Sequence, residues 1–329
     1  MKETTKESIL KLLSDHNSNF VSGQEIADTL YITRAGIWKA VNALRKDGYN
    51  IEAVTNKGYR LRLEKDILSL EGVQRNLDKD GIEIKVNVYD EVASTNDLAK
   101  EYAVSHSDDI VMIANYQTKG RGRRGRSFFS PKGCGLYISF LLHPKTDIEK
   151  ATQATCMAAV AVCKAIEKLT GKDVTIKWVN DIFLDGKKIC GILTEGATSL
   201  EDGSLSYMVI GIGINLYIPK DGFPDEIKNI AGVLFPEGEL EEDMKNRLSA
   251  GIIRELTNLL GSGDINDYLE DYRSRSMLIG NYVKILNGGT VSGGYGKVEG
   301  IDDECHLIVR RDNGEVEALS SGEVSVVRY

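Results

Sequence analysis

Five prolines in 329 residues leave little scope for polyproline or long disordered stretches, so the chain is expected to fold throughout. Long apolar runs are also missing. The most apolar helical stretch, Ala151 to Leu169, is interrupted by Gln153, Lys164, Glu167 and Lys168, and Met1 to Leu13 lacks the apolar core of a signal peptide. No membrane span is expected. The five cysteines, Cys134, Cys156, Cys163, Cys190 and Cys305, are odd in number and have no CxxC spacing, which fits a reduced, cytoplasmic setting. With four histidines in all, Cys305 beside His306 has no second ligand cluster, and no structural zinc is expected.

Positive charge is scarce overall but unevenly spread. The net charge of -8 argues against general nucleic-acid binding, yet residues 1–65 carry eleven Lys and Arg against eight Asp and Glu, leaving thirty against forty-one elsewhere. Only the N-terminal segment has the sign that suits phosphate. The apolar content of 42% supports a substantial core, and the length exceeds that at which one core usually stops growing, so two or three domains are expected.

The N-terminal segment reads as three short helices. Ile9, Leu10, Leu12 and Leu13 recur at helical spacing, Ser22 to Glu25 reads as a capping box, and Thr33 suits the N-cap of a third helix carrying Ile37, Val41 and Leu44 on one face. Gly48 is a natural stop, and Ile51 to Val54 with Tyr59 to Leu63 around Asn56-Lys57-Gly58 predicts a β-hairpin. This is the pattern of a winged helix-turn-helix. Thr33, Arg34, Trp38, Lys39, Asn42 and Arg45 are the candidate DNA contacts, and the alternative is a small helical domain used for protein contacts.

From Asp66 the pattern changes to strands at Ile82 to Tyr89, Ile110 to Ala114, Leu136 to Leu142, Thr175 to Trp178, Ile182 to Leu184, Ile189 to Thr194 and Tyr207 to Ile214. Helices are expected at Thr95 to Val104 and Ala151 to Leu169, and Asp185-Gly186 reads as a type I′ turn. A mixed or antiparallel sheet follows from this order, not the strict alternation of a dinucleotide-binding fold. Gly120 to Arg126 packs four arginines and three glycines into seven residues, a cationic loop whose amides can approach an anion closely. Phosphate is the obvious ligand, and an exposed RNA-binding tract is the alternative. The glycine spacing matches neither a P-loop nor a GxGxxG fingerprint. Lys177-Trp178-Val179-Asn180-Asp181 followed by Lys187-Lys188 brings an amide, a carboxylate and an ammonium onto neighbouring strands, and Gly211 to Leu216 ends a strand at Asn215.

In order and spacing these stretches resemble the biotin protein ligase family, and the N-terminal module resembles that of its members that also repress transcription. Glu91 to Asn96 and Gln117 match family positions too, and the resemblance covers essentially the whole chain. Phe128 stands where Trp is common and Val179 where Pro is common. The resemblance implies a class II synthetase-like α/β ligase core. It also implies that the biotin carboxylate attacks the α-phosphate of ATP to give biotinyl-5′-adenylate and pyrophosphate, and that a lysine of a biotin carboxyl carrier domain then takes the acyl group and releases AMP. Both first reactants are anions, and two unit charges about 4 Å apart repel by roughly 4 kcal/mol at an effective dielectric near 20, nearly three decades of rate. Arg123 and Lys188 are the expected catalytic cations. By family position biotin falls to Ser94, Thr95, Asn96, Gln117, Gly120 and Arg121 with Arg123 and Lys188. The nucleotide falls to Arg123, Arg124, Phe128, Asn180, Asp181 and Asn215, and magnesium, entering with ATP, to Asp181. Operator DNA and a homodimer of the adenylate-bound chain are the further partners implied.

Residues 280–329 predict short strands, Asn281 to Leu286, Gly296 to Ile301, His306 to Arg311, Glu315 to Leu319 and Val324 to Arg328, separated by glycine turns, with helices before them at Asp243 to Leu260 and Asp264 to Met277. A small SH3-like barrel is expected, and Gly288 to Gly296 is better explained by hairpin glycines than by a nucleotide loop. The expected whole is α+β: a winged helix-turn-helix over 1–65, a mixed-sheet ligase domain over 66–277 and an SH3-like barrel over 278–329. Competing functions are a non-catalytic biotin-sensing regulator and a ligase for another acyl acid such as lipoate.

Overall fold

A computed structural model describes residues 4–16, 19–46, 49–62, 66–78, 81–144, 150–198, 205–236, 243–262, 264–286, 294–320 and 322–327. The chain divides into two compact units, residues 1–82 with 239–250, and residues 83–238 with 251–329.

In the first unit, α1 (Thr5–Asp15) begins with a reciprocal capping box between Thr4 and Glu7. At α2 (Gly23–Leu30) only the forward half of the expected box is seen: Glu25 N donates to Ser22 Oγ at 3.0 Å, while the Glu25 carboxylate lies 3.5 Å from His16 Nε2. Thr33 caps α3 (Arg34–Lys46) by accepting from Gly36 N at 3.2 Å. The apolar stripes meet in a core of Ile9, Leu13, Ile26, Ile37, Val41 and Leu44, closed by Ile51 and Leu61 of the hairpin β1 (Asn50–Val54) and β2 (Gly58–Arg62). Burying each such side chain contributes about 1.5–3 kcal/mol relative to leaving it exposed. Tyr59 and Val21 exchange two backbone hydrogen bonds, and at Gly58, with φ of +102°, a Cβ would stand 2.0 Å from Val21 O. Only glycine lets the wing approach so closely. The expected stop at Gly48 and the wing's end at Leu63 lie outside the described residues.

The unit also contains α4 (Leu70–Asp78), which the sequence reading does not anticipate. Ser69 Oγ accepts from Gly72 N and caps it, while Val73 and Leu77 bury its inner face. Asn246 is the polar hub here: its side chain accepts from Ser69 N and donates to Ile67 O and to Asp243 Oδ1, all within 2.9 Å.

The second unit is built on a seven-stranded mixed sheet in the order β3 (Lys85–Tyr89), β4 (Ile110–Ala114), β5 (Gly135–Leu142), β9 (Leu205–Asn215), β8 (Lys187–Thr198), β7 (Asp181–Leu184) and β6 (Thr175–Lys177). Only β3 and β4 run parallel. The turn between β7 and β8 has positive φ at both Asp185 and Gly186, as a type I′ hairpin requires. Two helices matter for the site: α5 (Thr95–Ala103), capped by Ser94, and α6 (Lys150–Thr170), whose Ala158, Val162 and Ile166 are fully buried. Farther on, α7 (Met244–Ser262) has its residues from Gly251 in this unit, followed by α8 (Asn266–Ser274).

A five-stranded antiparallel sheet completes the unit, in the order β13 (Val316–Leu319), β12 (Leu307–Arg311), β11 (Tyr295–Ile301), β10 (Tyr282–Leu286) and β14 (Glu323–Val326). Most of the Gly288 to Gly296 stretch lies outside the described residues. Trp178 Nε1 donates to Cys305 O at 2.9 Å and Tyr272 OH donates to Val179 O at 3.0 Å, so the segment between β6 and β7 is held by both α8 and the second sheet. The α+β class is as expected. No helix among the described residues is long and apolar enough to cross a membrane.

Candidate functional site

A pocket of about 160 Å³ opens in the second unit between α5, the arginine loop and the ends of β7, β8 and β9. Of the expected ligand-binding residues, Ser94, Thr95, Asn96, Gln117, Arg121, Arg123, Arg124, Phe128, Asn180, Asp181 and Lys188 line it. Gly120 and Asn215 do not. Gly120 is buried in the loop's neck, where a Cβ would come within 2.4 Å of Phe128 O, and Asn215 turns its amide to Gly232 O at 3.0 Å, fastening the chain beyond β9. The arginine loop forms a closed hairpin: Phe128 N donates to Gly120 O, Gly122 N to Arg126 O and Arg126 N to Arg123 O. Arg124 sits at its tip in the left-handed region, φ +57°, an uncommon conformation for a residue with a Cβ.

One end of the pocket is a buried polar network with its donors and acceptors matched. Gln117 Oε1 accepts from Thr95 N at 2.8 Å and from Thr95 Oγ1 at 3.1 Å, while Gln117 Nε2 donates to Ser130 Oγ at 3.1 Å. Ser139 Oγ, fully buried beneath, lies 2.7 Å from Thr95 Oγ1 and 2.6 Å from Asn96 Oδ1. Neither Ser139 nor Tyr137, which also lines the pocket, is singled out by sequence, because each reads as an ordinary strand residue.

The other end carries the cations. Arg123 Nη1 donates to Asn180 Oδ1 at 2.9 Å, and Lys188 Nζ lies 2.6 Å from Asp181 Oδ1. That oxygen is buried and receives no hydrogen bond, so the contact is an ion pair off hydrogen-bonding angles, which leaves lone-pair capacity for a further partner. Between the two ends, the Phe128 ring lies on the glycine floor of β8 and β9, where a Cβ at Gly213 would come 2.7 Å from its edge. Burial pushes the Cys190 thiol well up despite the nearby Lys188 charge, so it is no thiolate nucleophile near neutral pH.

In the first unit, Trp38 is 64% exposed and Lys39 is also exposed, on the outer face of α3. Arg34 Nη2 donates to Gln24 Oε1 at 3.0 Å. Arg45 is committed locally, its Nε and Nη2 donating to Ile51 O at 2.9 and 2.7 Å, which ties α3 to the β1–β2 hairpin.

Family models match three stretches: an HTH domain over residues 5–60, the Biotin/lipoate A/B protein ligase family over 88–215 and the Biotin protein ligase C terminal domain over 278–327. The bifunctional ligase/repressor BirA of Bacillus subtilis is 34% identical, with 99% of this chain and 100% of that protein covered. The chain belongs to the biotin protein ligase family. Its Escherichia coli relative, also a bifunctional ligase/repressor BirA, is 29% identical over 99% of this chain and 98% of its own. A biotin protein ligase from Aquifex aeolicus in complex with biotin and ATP superposes with a TM-score of 0.59 at 29% identity, covering 74% of this chain and 99% of that one. The match of this biotin protein ligase to the bifunctional relatives runs through the helix-turn-helix as well as the ligase domain.

Proposed function

We propose that the pocket makes biotinyl-5′-adenylate from biotin and ATP and passes the biotinyl group to a lysine of a carboxyl carrier domain. The observation that carries this is the convergence of Arg123 and Lys188, from separate elements, on one pocket, each steadied by a member of the Asn180-Asp181 pair. Biotin's ureido ring goes to the Thr95, Gln117 and Asn96 end, since it needs paired donors and acceptors, and its carboxylate points toward the cations. Arg123 and Lys188 offset the repulsion between carboxylate and α-phosphate and stabilise the charge that builds in transfer. Phe128 covers the adenylate, and Arg124 reaches the phosphates.

Asp181, whose buried Oδ1 has no partner but the Lys188 ion pair, fits a hard cation and would hold the magnesium of the ATP complex, which would supply further neutralisation of the phosphates. The test is incubation with biotin, ATP and magnesium, then a carrier domain, with adenylate and carrier mass followed by mass spectrometry and lipoate in parallel. Biotinylated carrier is expected; adenylation of lipoate alone, or no adenylate, would contradict it.

The exposed face of α3 favours a second activity. We infer that the first unit binds operator DNA in the cytoplasm through Thr33, Arg34, Trp38, Lys39 and Asn42, with Arg45 setting the wing, and that biotinyl-adenylate favours a homodimer. Doubling the phosphate contacts steepens the salt dependence of binding. An operator fragment shifted only when biotin and ATP are present supports this, and no shift under any condition contradicts it.

A further inference from the structure

Glu195, on β8, is named by none of the motifs, yet three side chains beside the biotin end, Asn96, Lys100 and Arg121, converge on it. Its Oε2 accepts from Asn96 Nδ2 at 2.8 Å; its Oε1 accepts from Lys100 Nζ at 2.6 Å and lies 3.5 Å from Arg121 Nη2. Arg121 Nη1 also reaches Asp97 Oδ1 at 2.5 Å, and Lys100 lies 3.6 Å from the same oxygen. Two carboxylates and two cations thus form a neutral quartet. Arg121 is spent in it, so it adds little to the field at the phosphate end, where Arg123 and Lys188 stand.

The bond to Asn96 matters more. An amide can present either its oxygen or its nitrogen to a neighbour, and the negative charge of Glu195 selects Nδ2 on its own side. Oδ1 is thereby turned to Ser139, whose hydroxyl is shared with Thr95, and Thr95 donates to Gln117. Gln117 donates to Ser130, which donates to Phe128 O. Donation runs outward from Ser139 along two branches, one ending on the Glu195 carboxylate through Asn96 and the other on Phe128 O through Thr95, Gln117 and Ser130. The packing is close as well: a Cβ at Gly211 would stand 2.0 Å from Asn96 Oδ1, so the amide has no room to shift away.

We propose that Glu195 is a positioning residue for the acid substrate: it orients Asn96, and through it the Thr95 and Gln117 hydrogen-bonding array, and it clasps Arg121 so that the arginine hairpin closes over the biotin end. This rests on the biotin site proposed above. Without the carboxylate only the 3.3 Å bond from Asn96 Nδ2 to Leu193 O holds the amide this way round, and reversing it takes from Ser139 the Asn96 Oδ1 acceptor; hydrogen bonds to charged groups are the stronger ones, so loss of the carboxylate weakens biotin binding by about tenfold or more. In the site proposed above the nucleotide lies at the other end, against Arg123, Lys188 and Phe128.

The test is Glu195→Gln and Glu195→Ala beside the wild type, each with a melting curve. For each, biotin affinity is measured by calorimetry, and KM for biotin, KM for ATP and kcat by adenylate formation. The expected result is a biotin KM and Kd raised about tenfold or more in both variants, with kcat at saturating biotin and KM for ATP within about twofold of wild type. A double-mutant cycle of Arg121→Gln with Glu195→Gln is expected to be non-additive. An unchanged biotin KM in folded Glu195→Gln would overturn the assignment, as would a parallel change in biotin KM, ATP KM and kcat, which marks a merely structural role. If the wild type itself binds no biotin, it is the biotin-site reading that fails.

Discussion

At the biotin end of the pocket each polar side chain has its partners in hand before any ligand arrives. Gln117, Thr95, Ser139 and Asn96 form a buried hydrogen-bonded array. At the phosphate end the groups are only provisionally paired. Arg123 rests on an amide, Lys188 rests on a carboxylate off hydrogen-bonding angles, and the buried Asp181 oxygen receives no hydrogen bond. The difference follows from what each end has to do. Recognition of a neutral polar ring gains from rigid, matched donors and acceptors, whereas charge that develops during transfer needs cations that can change partners.

The largest effect is expected at the phosphate end. Lys188→Ala should lower single-turnover adenylate formation by about 10²–10³-fold, the range seen when one transition-state donor is removed, while biotin binding survives in part. Gln117→Leu attacks the other end. It leaves the Thr95 N–H and hydroxyl without their acceptor in a buried setting, at a cost of about 1–3 kcal/mol for each unsatisfied group, while Ser130 keeps its bond to Phe128 O. Both melting temperature and biotin affinity should fall, with the adenylation rate at saturating biotin much less affected. Gly213→Ala tests the floor between the ends. The added methyl displaces the Phe128 ring, so a several-fold rise in KM for ATP with an unchanged biotin KM is expected from initial-rate kinetics.

The two units also contrast in how their arginines are used. In the second unit Arg123 reaches into the pocket, whereas Arg45 of the first is bound twice to Ile51 O. The smallest effects therefore separate Arg45→Ala from Lys39→Ala in operator binding. Loss of Arg45 should lower stability by about 0.5–1.5 kcal/mol per lost hydrogen bond and loosen the wing, while loss of Lys39 should reduce the salt slope by about one. Equal salt slopes for the two would show Arg45 to be a phosphate contact after all.

The chemistry of the phosphate end was legible because it demands particular residue types at close spacing: arginines among glycines, then Asn-Asp and a lysine one hairpin later. The three-helix module and the strands of both sheets were legible from periodicity and turn residues. Glu195 was not, since it reads as one acidic residue on a strand and its key partner, Asn96, is far away in sequence. Asn215 was legible as a strand-end residue, but nothing in the sequence shows that its amide is taken by Gly232 O. The helix α4 carries a helical signal only in Leu70, Val73 and Leu77, too short to stand out in nine residues that follow directly on the change of pattern at Asp66.

The most direct test of the two-ended pocket is to measure biotin binding and single-turnover adenylation on the same preparation of Lys188→Ala. The account predicts a dissociation constant for biotin within about tenfold of wild type and an adenylation rate lower by about a hundredfold or more. An unchanged rate, or binding and rate lost in equal measure, would contradict the division of labour between the two ends.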